Sequence, residues 1–445
     1  MTQQVNIPLW QRYLLRLGIL LIVLISLPLQ PDFYSRLFSL SWHYFLADIF
    51  HLATFLPHYF GPQHSLYDWV LVLVVSLLGA AYWLQRTKNS SFEKEQRLYY
   101  YLRIFVRFKL AAILFVAGFS KLFPVFVPEL SLSHLNTAYG YFTDEKQFLL
   151  SLAAAPAYVV FLGIVELLTA FLLLFRKTSF LAVIFVVPFY GNAFLGDLAY
   201  NGSSYLTFVY IVLLTLPIFL YDIQRLGALI VDFKQARPAS WKLDWSQVSW
   251  KTIRQPAKAL FVFVFVILVG FKSYSVYKNP TQSLHYPQQA GLPDIAGKYL
   301  VDSFVLNGDT LAHSPSDSLR WKDVVFEKWN TLSIRKAQGA IQDVASAGLF
   351  QRDDAQRDYE YSDVGDRLYY RYQIQQDSLV LKNPNPNYAQ DQYNFRIERP
   401  DSLHVCLTGR AASGQQLDVR LRKADKKYLL YEVKKAGRSN RGFKL

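Results

Sequence analysis

The chain has 445 residues, 52% of them hydrophobic and 18% charged, with a formal net charge of +14 at pH 7. A mean hydropathy of +0.13 is too apolar for an ordinary soluble protein, and the charge is too high for a wholly membrane-embedded one, so a membrane part and a soluble part are expected. Cys406 is the only cysteine, which excludes an intrachain disulfide and a thiol relay.

Apolar runs fill residues 14–29, 69–84, 110–122, 155–175, 180–194, 206–220 and 259–271. Most approach the roughly 20 residues that cross a bilayer, which predicts an α-helical membrane bundle of about seven transmembrane helices. Past residue 274 no comparable run occurs, so one soluble domain follows. The expected organisation is 1–98 as N-terminal spans, 99–225 as a four-span bundle, 226–274 as linker and last span, and 275–445 as a β domain. Residues 37–60, with His43, Asp48, His51, Pro57 and His58, are expected to form an amphipathic interfacial helix on the outer surface.

Basic residues set the orientation. Residues 86–109 hold seven Lys/Arg against two acids, and 222–258 hold seven against three. The alternate loops, 31–66, 124–150 and 196–203, hold one, one and no basic residues. The N-terminus is therefore expected in the cytoplasm and the C-terminal domain outside, which in a bacterium means the inner membrane with a periplasmic domain. The first run lacks a small-residue cleavage site and reads as an uncleaved anchor. Residues 223–258 form a linker whose Trp241, Trp245 and Trp250 suit the lipid interface.

The C-terminal part alternates with period two. Tyr299, Val301, Ser303 and Val305 share one strand face, and further strands are expected at 322–327, 331–336, 367–373, 378–381, 393–398, 403–408, 416–422 and 428–433. Eight or nine short strands in meander order predict an all-β domain, a small closed barrel or a sandwich. Gly297, Lys298 and Tyr299, with Trp321 soon after, resemble the opening of a lipocalin-type barrel. The last 26 residues carry ten Lys/Arg and two acids, suited to a solvated strand and tail or to anionic lipid headgroups.

Polar groups inside the apolar runs are the candidates for chemistry. Glu166 lies in the middle of the 155–175 run. An ionised group at that depth costs at least ~2.5 kcal/mol, so it must face a partner or a wet cavity. Arg107, Lys121 and Asn192 recur in neighbouring spans and complete a candidate intramembrane polar site. From depth alone, a Glu166–Arg107 pair is geometrically easier than Glu166–Lys121. Such groups either fix helix packing through hydrogen bonds worth ~0.6 kcal/mol each, or make Glu166 a proton-exchanging group beside a quinone or lipid-headgroup pocket. Gly118, Gly163, Gly191 and Gly196 allow close helix approach. His43, His51 and His58 read as interfacial aromatics rather than haem or metal ligands, and His404 with Cys406 lacks the third group of a nucleophilic site. No P-loop, GxGxxG, HExxH or GxSxG motif occurs. A domain on the outer side does not meet nucleic acid.

Leu102, Arg103 and Arg107 are followed by Ala117-Gly118-Phe119-Ser120-Lys121-Leu122-Phe123-Pro124, then Gly163, Glu166, the turn Arg176-Lys177-Thr178, Gly191-Asn192, Tyr200 and Tyr221-Asp222. On these residues, 100–225 resemble the DoxX-like family of four-span membrane proteins. The resemblance implies a link to quinone, since some relatives belong to quinone-linked sulfur oxidation or thiol redox systems; membrane cysteines of the thiol-active members are absent here. No cofactor is held by the chain itself on this reading. The expectation is a non-catalytic envelope factor that binds a lipid, a quinone or another small hydrophobic ligand. The alternative is a quinone-linked oxidoreductase subunit beside a partner membrane subunit.

Overall fold

In lipid a backbone amide has no acceptor except its own helix, so long apolar runs fold as helices. The computed structural model describes residues 8–59, 65–87, 91–230, 252–279, 283–314, 317–337, 350–375 and 378–436; Trp241, Trp245 and Trp250 of the expected linker lie outside them. The chain divides into two compact units, residues 1–123 with 159–275, and residues 124–158 with 276–445.

The first unit is helical. Among the described residues, six helices are long and apolar enough to cross a membrane: α1 (Leu9–Ser26), α4 (Leu66–Arg86), α8 (Pro156–Leu173), α9 (Ser179–Ala199), the Tyr205–Ile223 part of α10 (Tyr205–Ile230), and Arg254–Lys278. The last of these comprises α11 (Arg254–Val262), a π-helical segment Phe263–Leu268 and α12 (Val269–Lys278). The expected run at 110–122 is the end of α5 (Phe92–Leu122), whose apolar half still carries Arg107, Lys109 and Lys121. Residues 110–116 of α5 are all buried, the pattern of a helix surrounded by others. At the start of α5, Glu95 is shared by two arginines of α1, Arg16 Nη2 at 2.8 Å and Arg12 Nε at 3.2 Å.

Residues 37–60 differ from expectation. They contain parts of two short helices, α2 (Pro31–Phe38) and α3 (Phe45–Thr54), rather than one surface helix. Seven of the ten residues of α3 are buried, Asp48 among them. Ten residues extend only ~15 Å, too short to cross. Inside the unit, Lys109 of α5 donates to the Ala53 carbonyl in the last turn of this helix, 2.9 Å away.

The second unit is a closed antiparallel barrel. Its strands are β1 (Gly297–Leu306), the two-residue β2 (Asp309–Thr310), β3 (Trp321–Phe326), β4 (Thr331–Lys336), β5 (Arg367–Gln375), β6 (Ser378–Lys382), β7 (Gln392–Glu398), β8 (His404–Ala411) and β9 (Gln416–Lys423). β2 extends β1 through a tight hairpin at Asn307-Gly308, both with positive φ, while β1 and β3 to β9 form the eight-stranded wall, closed by β1 pairing with β9. The interior is filled by side chains, including Tyr299, Phe304, Trp321, Phe326, Tyr370, Tyr372, Tyr393 and Phe395. The strand expected at 428–433 is instead part of helix α13 (Leu429–Ala436). Closure leaves no sheet edge for another strand, and Leu429, Glu432, Val433 and Ala436 carry helical spacing.

Residues 124–150, expected as an outer loop, and the eight that follow, through Tyr158, are an integral layer of this unit. They hold α6 (Leu132–Leu135) and α7 (Asp144–Ala154). Glu327, just past β3, accepts the backbone N–H groups of Leu132 and Ser133 at 3.0 and 2.6 Å, and the Ser133 hydroxyl at 2.7 Å. Ser133 also meets Ser333 of β4 at 2.8 Å, and Arg367 of β5 reaches Ser333, the Asn136 carbonyl and Asp323. The outer face of β3 to β5 is therefore polar and yet buried. Lys146 of α7 is buried too, donating to the Tyr359 carbonyl and lying 3.8 Å over the Tyr359 ring. Burial pulls its ammonium down to about 8 and pushes the nearby Glu360 carboxyl up to about 8, while the Trp329 indole donates to both Glu360 oxygens.

Candidate functional site

The candidate site is built where α5 and α8 touch. A Cβ added at Gly163 would fall 2.5 Å from the Leu122 nitrogen and 2.7 Å from the Gly118 carbonyl oxygen, both backbone atoms. The helices are thus in backbone contact at Gly118 and Gly163, the close approach that small residues permit. Each glycine is followed three residues later by a charged residue, Lys121 and Glu166.

Side chains on a helix lean toward its N-terminus. With α5 and α8 antiparallel, Lys121 and Glu166 lean toward each other across the crossing. Lys121 Nζ lies 2.5 Å from Glu166 Oε1. The same oxygen accepts the hydroxyl of Tyr190 on α9 at 2.8 Å. Glu166 is 1% exposed, and its second oxygen, Oε2, is buried with no hydrogen-bond partner among the described residues. The Lys121 side chain keeps 14% of its surface accessible. The cluster offers a cation, a phenol and a bare carboxylate oxygen within a single hydrogen-bonded group.

The Glu166–Arg107 pair favoured by depth does not form. Arg107 leans toward the start of α5, away from Glu166, and donates twice to the Leu173 carbonyl, at 3.0 Å from Nε and 2.8 Å from Nη2. That carbonyl ends α8, where helix oxygens lack intrahelical partners. Asn192 is not in the site either. It stands two residues, ~200°, from Tyr190 on α9 and is exposed. Tyr190 is the member that sequence reasoning missed. It follows Val183 and Val186 at spacings of three and four on a stripe that the structure buries, a pattern that an apolar run does not single out in the sequence.

The remaining candidates are dispersed. His43 makes a ring contact with Tyr44 and His51 with Phe50, while the His58 carbonyl accepts Gln30 Nε2 at 2.6 Å. His404 Nδ1 lies 2.8 Å from Asp401 on the exposed start of β8. Among the described residues no group of three or more His, Cys, Asp or Glu side chains is placed to hold a metal ion. No protein-family model matches the chain, and no curated protein and no solved structure matches it.

Proposed function

We propose that this chain is a DoxX-like multi-pass protein of the bacterial inner membrane that binds a small amphiphile, a lipid or a quinone, at Lys121, Glu166 and Tyr190. The barrel unit lies in the periplasm and acts as a non-catalytic contact module. The observation that carries the binding role is Glu166 Oε2, a buried carboxylate oxygen left without a donor beside two groups that can donate. Buried polar atoms of this kind are rare unless a ligand or water completes them. The residues that assemble, Gly118, Lys121, Gly163 and Glu166, are also those on which the DoxX-like resemblance rests.

Topology supports the placement. Residues 124–158 and the barrel belong to one compact unit, so they share a side of the membrane. Among the described residues four membrane-capable helices separate them in the chain, an even number. With the basic connections 86–109 and 222–258 on the cytoplasmic side, that shared side is the periplasm.

A second reading, a quinone-linked oxidoreductase subunit, draws on the direct contact of three proton-exchanging groups, with electrons supplied by a partner subunit. Thermal unfolding of the purified full chain, titrated with a short-chain quinone and with a short-chain phospholipid, tests the binding role. Wild type should be stabilised by one of them, and Glu166→Gln should lose that shift. Equal shifts in both proteins would refute a site at Glu166.

A further inference from the structure

Arg107 belongs to a different constellation from Glu166. Arg103 and Arg107 stand one turn apart on a single face of α5. The Arg103 guanidinium lies 3.4 Å from the Tyr221 ring centroid and 5.9 Å from that of Tyr100. Arg176, in the turn after α8, lies 5.7 Å from the Tyr100 ring and reaches the Tyr221 hydroxyl at 3.4 Å. Lys258 of α11 approaches the same turn, 3.5 Å from the Leu174 carbonyl and 4.8 Å over the Phe175 ring. Four cations from three segments therefore gather around tyrosine rings and the terminal carbonyls of α8.

None of the four has a carboxylate within ion-pair distance among the described residues, whereas Arg12 and Arg16 share Glu95 and Lys121 has Glu166. Arg103 is 9% exposed, and its Nε is buried without an acceptor among the described residues. Ring faces and carbonyls attract a cation but do not neutralise it. Like charges held this close repel strongly where water is scarce. An anion with several acceptor oxygens would neutralise them, and guanidinium groups match phosphate geometry. Leu173 lies seven residues past Glu166, ~10 Å along α8, so the cluster is separate from the Lys121–Glu166 site.

We propose that Arg103, Arg107, Arg176 and Lys258 bind a phosphate-bearing anion, the headgroup phosphate of an anionic lipid. Basic recesses between membrane helices are suited to such headgroups, and interfacial tyrosines mark the depth at which the phosphates lie.

The test follows thermal unfolding of the purified full chain with added phosphatidylglycerol, phosphatidylcholine or inorganic phosphate. Phosphatidylglycerol should stabilise wild type more than phosphatidylcholine does. Arg176→Gln should raise the phosphatidylglycerol concentration for half effect roughly fivefold, and Arg107→Gln/Arg176→Gln should raise it further. Arg176→Lys, which keeps the charge, should restore most of the response. The same stabilisation from inorganic phosphate alone would uphold the phosphate chemistry and overturn the lipid as its source. Equal effects of the two lipids on wild type, or an unchanged response in the folded double variant, would overturn the proposal.

Discussion

Glu166 takes two donors on one oxygen and none on the other, an asymmetry that only the third dimension creates. Lys121 offsets its charge, so the cluster is nearly neutral as a whole although each member alone is expensive at that depth. Removing one partner strands the other. Lys121→Met should therefore destabilise the helical unit by about 3–5 kcal/mol, while Lys121→Met/Glu166→Leu should cost less than either single change. Reversible unfolding in mixed detergent would measure the cycle, and simply additive losses would contradict a coupled pair. Glu166 and Lys121 are legible in the sequence because a charge inside an apolar run must be explained. Tyr190 is not, since a tyrosine in such a run looks like filling. Arg107 and Asn192 fall outside the cluster because depth along a helix ignores the direction in which a side chain leans and the face from which it projects.

Between elements, the α5–α8 crossing depends on a glycine that nothing larger can replace. A Cβ at Gly163 meets backbone, which cannot rotate away, so Gly163→Ala should separate the helices and cost about 1–3 kcal/mol. A Cβ at Gly191 has nothing within 4 Å, and Gly191→Ala should leave stability unchanged or raise it. Thermal unfolding of the two variants checks the contrast; equal effects would show that the backbone contact does not matter. In the second unit the docked 124–158 segment buries several titratable groups. Burial keeps His134 and His285 neutral, His285 down to about 3, and raises Glu327 and Glu360, Glu360 up to about 8. Below pH 6.5 the two sets oppose: the histidines make folding more favourable as pH rises, the carboxyls less. Between about 6.5 and 8 Glu360 binds more protons folded than unfolded, so its contribution to stability should fall by about 2 kcal/mol as pH rises. Above 8 Lys146, held down to about 8, should reverse the slope. Protease resistance of the 124–158 segment against pH reads this, and Glu360→Gln should flatten the fall; a fall that persists in that variant would assign it to another group. The strands of the barrel are legible because alternation has no other cause, whereas the docking of this segment is not, because Ser133 and Glu327 are 194 residues apart.

At the scale of the whole chain, two units interleaved in sequence constrain how the protein threads the membrane. An impermeant thiol reagent applied outside intact cells should label the native Cys406, and also Ser151→Cys in a Cys406→Ser background, but not Arg176→Cys in that background. Labelling of Arg176→Cys without Ser151→Cys would reverse the orientation. The division into a helical and a β part is written in hydropathy, yet the assignment of residues 124–158 to the β part is not, because the 27 residues of the 124–150 connection, with one basic residue, resemble any exterior loop. The most direct test of the account is mass spectrometry of the lipids and quinones that copurify with wild type and with Glu166→Gln. The account predicts a defined amphiphile retained by wild type and lost from the variant. The same unselective lipid on both would contradict it and leave Glu166 as a packing residue.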